Sequence, residues 1–160
     1  MYNRHNAAIA YIRGGQYYPE IRGVVSFNPM GQGTWVSAEI RGLPAFSRED
    51  NKSVGPHGFH IHEIGVCDKK IDFLSAGEHY NGEQYNPESN PCGNQAGDFP
   101  MLFSNHGNAK CEFFTDKFAP HKIIGKSVII HEGPDDYNAN PIGRAATSNM
   151  RIACGAVERA

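Results

Sequence analysis

The sequence has no long apolar run. Its longest aliphatic stretch is Val128-Ile129-Ile130, far short of the ~18 residues of a membrane-spanning helix. It has no excess of either charge: 15 Lys and Arg against 17 Asp and Glu leave a formal net charge of −2, which excludes a strongly basic nucleic-acid binder. No internal repeat or low-complexity tract is present. No stretch as long as about a dozen residues carries a helical apolar period. The segment MYNRHNAAIAY lacks a basic stretch followed by an apolar one, so no secretory leader is visible in this chain. The four cysteines (Cys67, Cys92, Cys111, Cys154) lack the close paired spacing of a zinc finger or ribbon.

What is present is glycine, proline, histidine and a period of two. The 18 glycines and 10 prolines in 160 residues exceed the roughly 12% of ordinary usage and stay below disordered compositions, so the chain reads as folded and rich in turns. Ile21, Gly23, Val25 and Phe27 alternate with Arg22, Val24 and Ser26, and Thr34, Val36, Ala38 and Ile40 alternate with Trp35, Ser37 and Glu39. Such alternation predicts half-buried strands. Strands are expected over 6–13, 17–28, 33–41, 57–63, 100–105, 109–115, 126–132 and 150–157. Eight short strands point to an all-β Greek-key barrel or an immunoglobulin-like sandwich, here as one domain over 1–160. Three connections, 42–56, 64–99 and 133–149, are too long for hairpins, and long loops in a small domain tend to carry function.

Three histidine-bearing segments carry the chemistry. In His57-Gly58-Phe59-His60-Ile61-His62-Glu63, a strand puts His60 and His62 on one face and Phe59 and Ile61 on the other. Phe59 and Ile61 suit a core, and the two imidazoles form a preformed pair of metal ligands. His57 lies on the Phe59 face and is assigned a structural role. In Ser127-Val128-Ile129-Ile130-His131-Glu132, His131 shares a face with Ile129, away from Val128 and Ile130. His79 sits in the long loop within SAGEHYN.

Five blocks in order resemble the copper/zinc superoxide dismutases: GFHIHE at 58–63, SAGEHYN at 75–81, GD at 97–98, IIGKSVIIHE at 123–132 and MRIACGAVE at 150–158. The resemblance spans residues 8–158. The position of Cys67 and the GAVE-type ending look more like the bacterial members. The resemblance implies an eight-stranded Greek-key β-barrel with a long metal-site loop and an electrostatic loop. It implies copper ligation by His60, His62, His79 and His131, with His79 as the imidazole that bridges to zinc. Asp98 matches the zinc carboxylate, and Arg151 matches the arginine that attracts and orients superoxide. Cys67 and Cys154 match the disulfide between the long loop and the last strand. Asp135 matches the carboxylate that links the two metal sites through hydrogen bonds.

The family's zinc position departs from its pattern. Between His79 and Asp98 the chain reads YNGEQYNPESNPCGNQAG, without a histidine. Gln95 stands where one zinc histidine is expected, and Asn86 or Glu88 where the other is. This predicts a copper-only-like variant with a vestigial zinc position at Asp98; a site rebuilt through Glu83, Glu88 or Cys92 is the alternative. Copper-only members usually lose the electrostatic loop, whereas residues 133–149 and Asp135 are kept here. Cys92 and Cys111 have no counterpart in the family pattern and are expected to form a second disulfide, the alternative being two free thiols with Cys111 packed in a strand.

The expected function is copper-dependent dismutation of superoxide to oxygen and hydrogen peroxide by Cu(II)/Cu(I) cycling, with Arg151 and His79 as the catalytic residues. The alternative is a non-catalytic copper-binding protein on the same barrel. The expected partner is superoxide, with neither nucleic acid nor membrane; pairing as a homodimer is left open. Disulfides favour an extracellular or periplasmic location.

Overall fold

The computed structural model describes residues 6–50, 52–83, 95–135 and 150–160. These residues form nine strands: β1 (Ala8–Gly14), β2 (Arg22–Met30), β3 (Gly33–Arg41), β4 (Ser47–Glu49), β5 (Lys52–Val54), β6 (Phe59–His62), β7 (Ala109–Thr115), β8 (Ser127–His131) and β9 (Arg151–Arg159). Short 3-10 turns at Lys69–Ile71, Leu74–Ala76 and Pro120–Ile123 accompany them. Seven strands make one antiparallel sheet in the order β6-β8-β9-β1-β2-β3-β7, and β4 and β5 pair separately. β1, β2 and β3 follow one another as a meander. The chain then crosses to the opposite edge for β6, returns for β7 and crosses again for β8, which is a Greek-key pattern of connections.

Alternation in the sequence becomes one core. Ala8, Ala10 and Ile12 of β1, Val25 and Phe27 of β2, and Val36, Ala38 and Ile40 of β3 point inward, together with Phe59, Ile61, Val128, Ile130, Ile152 and Val157. Residues from both edges of the sheet share this single cluster, so the sheet is curled into a half-barrel. Phe99 plugs the seam between the edges: its ring lies 5.1 Å from Phe59 of β6 and 5.0 Å from Phe113 of β7.

Three expectations are corrected here. The segment 100–105 is not a strand; it is held to the β6 side by the His57–Leu102 bridge and turns into β7 through Asn105–Asn108. Pro100 has no amide to donate, which limits pairing there. The strand expected over 17–28 begins only at Arg22, because Tyr18 and Ile21 close a turn around Pro19. The hairpin β4–β5 lies in the connection 42–56. Its residues are polar except Val54 and mostly exposed, so no apolar alternation announces it.

β6 and β8 are buried on both faces. One face joins the core; the other carries His60, His62 and Ile129. The connection after β6 covers that second face. Ile64 N–H and Glu63 N–H donate to Ala76 and Glu78, and Tyr80 N–H donates to Ile61. This folds residues 76–80 back along β6 and sets His79 opposite His62. Cys67 and Cys154 are joined by a disulfide, which fastens the same loop to β9. Phe73, Ala76, Ile129 and Cys154 bury one another around it.

Candidate metal centre

Four imidazoles gather where β6, the end of β8 and the covering loop meet. One ring nitrogen from each of His60, His62, His79 and His131 lies within 4.8 Å of every other. The rings of His60 and His79 are 4.1 Å apart, those of His62 and His79 4.7 Å, and those of His60 and His131 4.8 Å. Nitrogen ligands sit about 2 Å from a transition metal, so opposed ligands stand roughly 4 Å apart, and a small contraction brings all four onto one ion. His131 reaches the group because the β8–β9 register shifts between Ile130 and His131, turning it beside Arg151.

The hydrogen bonds fix which nitrogen faces inward. His60 Nε2–H donates to Asp135 Oδ1 at 2.7 Å. His62 Nδ1–H donates to the Gly77 carbonyl at 2.9 Å. His79 Nδ1–H donates to Asp98 Oδ1 at 3.1 Å. The opposite nitrogens, His60 Nδ1, His62 Nε2 and His79 Nε2, are buried without a hydrogen-bond partner and converge with the buried Nε2 of His131. Buried polar atoms are rarely left in this state, and inward lone pairs repel one another unless a cation lies between them. Burial, with the neighbouring His79, pushes the His60 imidazole down to about 3, and burial pushes His62 down to about 2, so both rings are neutral, as metal ligation requires. The donor set therefore fits a nitrogen-loving metal such as copper.

Other expected residues take definite places. His57 is buried, and its Nδ1–H donates to the His131 carbonyl. Arg151 is half-buried, its Nη1–H donates to the Phe73 carbonyl at 3.0 Å, and its charge is close enough to weigh against protonation of His60 and His62. Asp98 accepts from His79 on one oxygen and from the Gln95 backbone N–H on the other at 3.0 Å. The Gln95 side-chain amide donates to Asn81, and Lys117 donates to the Gln95 carbonyl at 3.1 Å. Glu83 is turned to Lys122 at 2.8 Å and is exposed. Among the described residues, His79 and Asp98 alone are juxtaposed at the family's zinc position. Asn86, Glu88 and Cys92 lie outside the described residues. Cys111 is a free thiol, and its expected disulfide partner Cys92 lies outside the described residues. Cys111 lies on the inward face of β7, packed against the core, and burial raises its thiol pKa.

The sequence reading missed Tyr18 and Lys52, whose side chains converge on Glu132 beside the histidine cluster. A tyrosine in a turn and a lysine in a polar loop carry no pattern. Gly58 was missed as well: a Cβ there would lie 2.6 Å from Asp135 Oδ1, so only glycine lets that carboxylate reach His60 unhindered.

The family model for copper/zinc superoxide dismutase matches residues 21–157. The chain belongs to the copper/zinc superoxide dismutase family. It is 33% identical to a superoxide dismutase [Cu-Zn] of Deinococcus radiodurans over 85% of this chain and 76% of that protein. It is similar to two from Aquifex aeolicus, 34% identical over 86% of this chain and 80% of the relative, and 39% identical over 62% and 63%. The dismutase blocks identified from the residues thus fall on the strands and loop that build the imidazole cluster.

Proposed function

We propose that this chain is a copper-dependent superoxide dismutase, with His60, His62, His79 and His131 as the copper ligands and Arg151 as the anion guide. Two superoxide ions and two protons give one oxygen and one hydrogen peroxide. The observation that carries the reading is the set of four inward, buried imidazole nitrogens, with the outer nitrogens of His60, His62 and His79 each tied to an acceptor. Copper bound there supplies a one-electron couple able to oxidise one superoxide and reduce the next.

The protein's own residues do the rest. Asp135, the Gly77 carbonyl and Asp98 hold the rings in the tautomers that present lone pairs inward. Arg151 draws a small anion to the rim of the cluster, and the Phe73 carbonyl keeps its guanidinium from swinging away. The covering loop, fastened by Cys67–Cys154, keeps bulk water off the ligand nitrogens.

Zinc is proposed to be absent from the native protein. A closed zinc site takes four N, S or O donors, and His79 with Asp98 supplies two. Asp98 is already satisfied by two hydrogen bonds, and Gln95 and Glu83 are engaged with Asn81 and Lys122. Elemental analysis of protein purified from copper- and zinc-supplemented cells, combined with superoxide decay, tests both parts. One copper and no zinc per chain with rapid decay is expected. Copper without activity leaves the binding-protein reading, and stoichiometric zinc points to Glu88 or Cys92.

A further inference from the structure

Glu132 follows the proposed ligand His131, and its buried carboxylate is held between side chains from two other parts of the chain, Tyr18 and Lys52. Tyr18 O–H donates to Glu132 Oε1 at 2.6 Å, and Lys52 Nζ lies 3.7 Å from Oε2. The Glu132 backbone is held as firmly: its N–H donates to the Met150 carbonyl and its carbonyl accepts from Gly55 N–H, both at 2.8 Å. These contacts bracket the point where the β8–β9 register slips and His131 comes opposite Arg151. Moving Glu132 therefore moves the proposed copper ligand before it and the Met150–Arg151 backbone it binds.

Tyr18 is itself fixed by a turn built for it. Ile21 N–H donates to the Tyr18 carbonyl, Gly14 N–H donates to the Ile21 carbonyl, and Gly15 N–H donates to the Ile152 carbonyl. A Cβ on Gly14 would lie 1.9 Å from the Tyr18 carbonyl oxygen, so the close approach needs glycine there. The turn thus joins β1 to β9 one residue past Arg151 and delivers the phenol to Glu132.

We infer that Tyr18 and Glu132 are a positioning pair that sets His131 and Arg151 relative to each other across the slipped β8–β9 register. A 2.6 Å O–H···O⁻ bond is short and directional, stronger than a bond between neutral groups, and it fixes a buried carboxylate that would otherwise be free to turn. Both act through the backbone bonds of Glu132 and of the Tyr18 turn. The inference rests on the proposed copper and arginine roles.

The test compares Tyr18→Phe and Glu132→Gln with the parent and with Tyr17→Phe, an exposed neighbour. Copper content is measured first, then the Cu(II) electron paramagnetic resonance spectrum, then kcat and KM separately, with the melting temperature of the metal-free protein as the control for folding. With one copper bound in each variant, Tyr18→Phe is expected to shift the Cu(II) spectrum and lower kcat/KM by about tenfold, the lower end of the usual effect of removing a residue that supports a ligand. Glu132→Gln keeps an acceptor for the phenol and is expected to fall between Tyr18→Phe and the parent. A parent-like spectrum and parent-like kinetics in both copper-loaded variants overturn the inference. A parent that binds no copper overturns the reading beneath it instead, so the two failures are distinct. If Tyr18→Phe fails to fold, Glu132→Gln carries the spectral comparison alone.

Discussion

His60 and Asp135 share a 2.7 Å hydrogen bond that occupies the outer nitrogen of the ring and leaves Nδ1 facing the other three imidazoles. Gly58 makes the bond possible by leaving the space that Asp135 fills. Asp135→Ala is expected to free the His60 ring and weaken copper binding by about 10- to 100-fold, read by competition with a chelator. Gly58→Ala is expected to do the same in milder form, because the added methyl meets Asp135 Oδ1 and the Cε1 of His60 before it meets backbone. Copper affinity unchanged in both variants would remove Asp135 from the site.

Arg151 is expected to act on arrival of the anion rather than on copper retention. Its guanidinium is held by the Phe73 carbonyl, and its charge reaches His60 and His62 without a bond to either ring being needed. Arg151→Ala should keep its copper, lose about tenfold or more in kcat/KM, and show a shallower dependence on ionic strength. Stopped-flow superoxide decay over a salt series reads both quantities. Parent-like decay at every salt concentration refutes the guiding role.

The Cys67–Cys154 bridge couples stability to the same arginine. The two cysteines are 87 positions apart, and closing a loop of that length contributes about 4.6 kcal/mol in the chain-entropy description. Phe73 belongs to the loop so fastened, and its carbonyl is the acceptor that holds Arg151. Replacing both cysteines by serine is therefore expected to lower the unfolding free energy by about that amount and also to lower kcat/KM. Urea unfolding measures the first effect and superoxide decay the second. A loss of stability with no loss of kcat/KM would uncouple the loop from Arg151.

The parts of this molecule legible in its sequence were those in which residue type and period agree. Phe59-His60-Ile61-His62 carries its two faces in its own alternation: Phe59 and Ile61 enter the core, and His60 and His62 gather with His79 and His131 on the other side. His131 was legible as a residue apart from Val128 and Ile130, although the register slip that turns it beside Arg151 has no sequence signal. The 100–105 strand was misread because Met101, Leu102 and Phe103 are apolar side chains a strand accepts, while Pro100 and a single bridge at Leu102 limit its pairing. The β4–β5 hairpin pairs five polar residues with a single apolar one, Val54, so it carries no apolar pattern. The Tyr18–Glu132 contact spans 114 positions, and no local rule anticipates such a pairing.

The Tyr18–Glu132 contact also predicts how stability responds to alkali. The hydrogen bond to Glu132, with burial and the carboxylate charge, raises the Tyr18 phenol from 10.0 to about 12. Only the protonated phenol can donate, so the folded state favours protonation relative to the unfolded chain. The stabilisation is fully present below pH 10 and is lost as the pH rises from about 10 to about 12. At pH 8, Tyr18→Phe is expected to unfold with a free energy lower by about 1.5–3 kcal/mol, the usual contribution of a hydrogen bond to a charged group. Above pH 12 the hydroxyl gives no such advantage, so the gap between parent and variant should close. Parallel urea titrations at pH 8, 10 and 12 measure the gap directly, and a constant gap across that range would mean that the phenol does not donate its proton to Glu132 in solution.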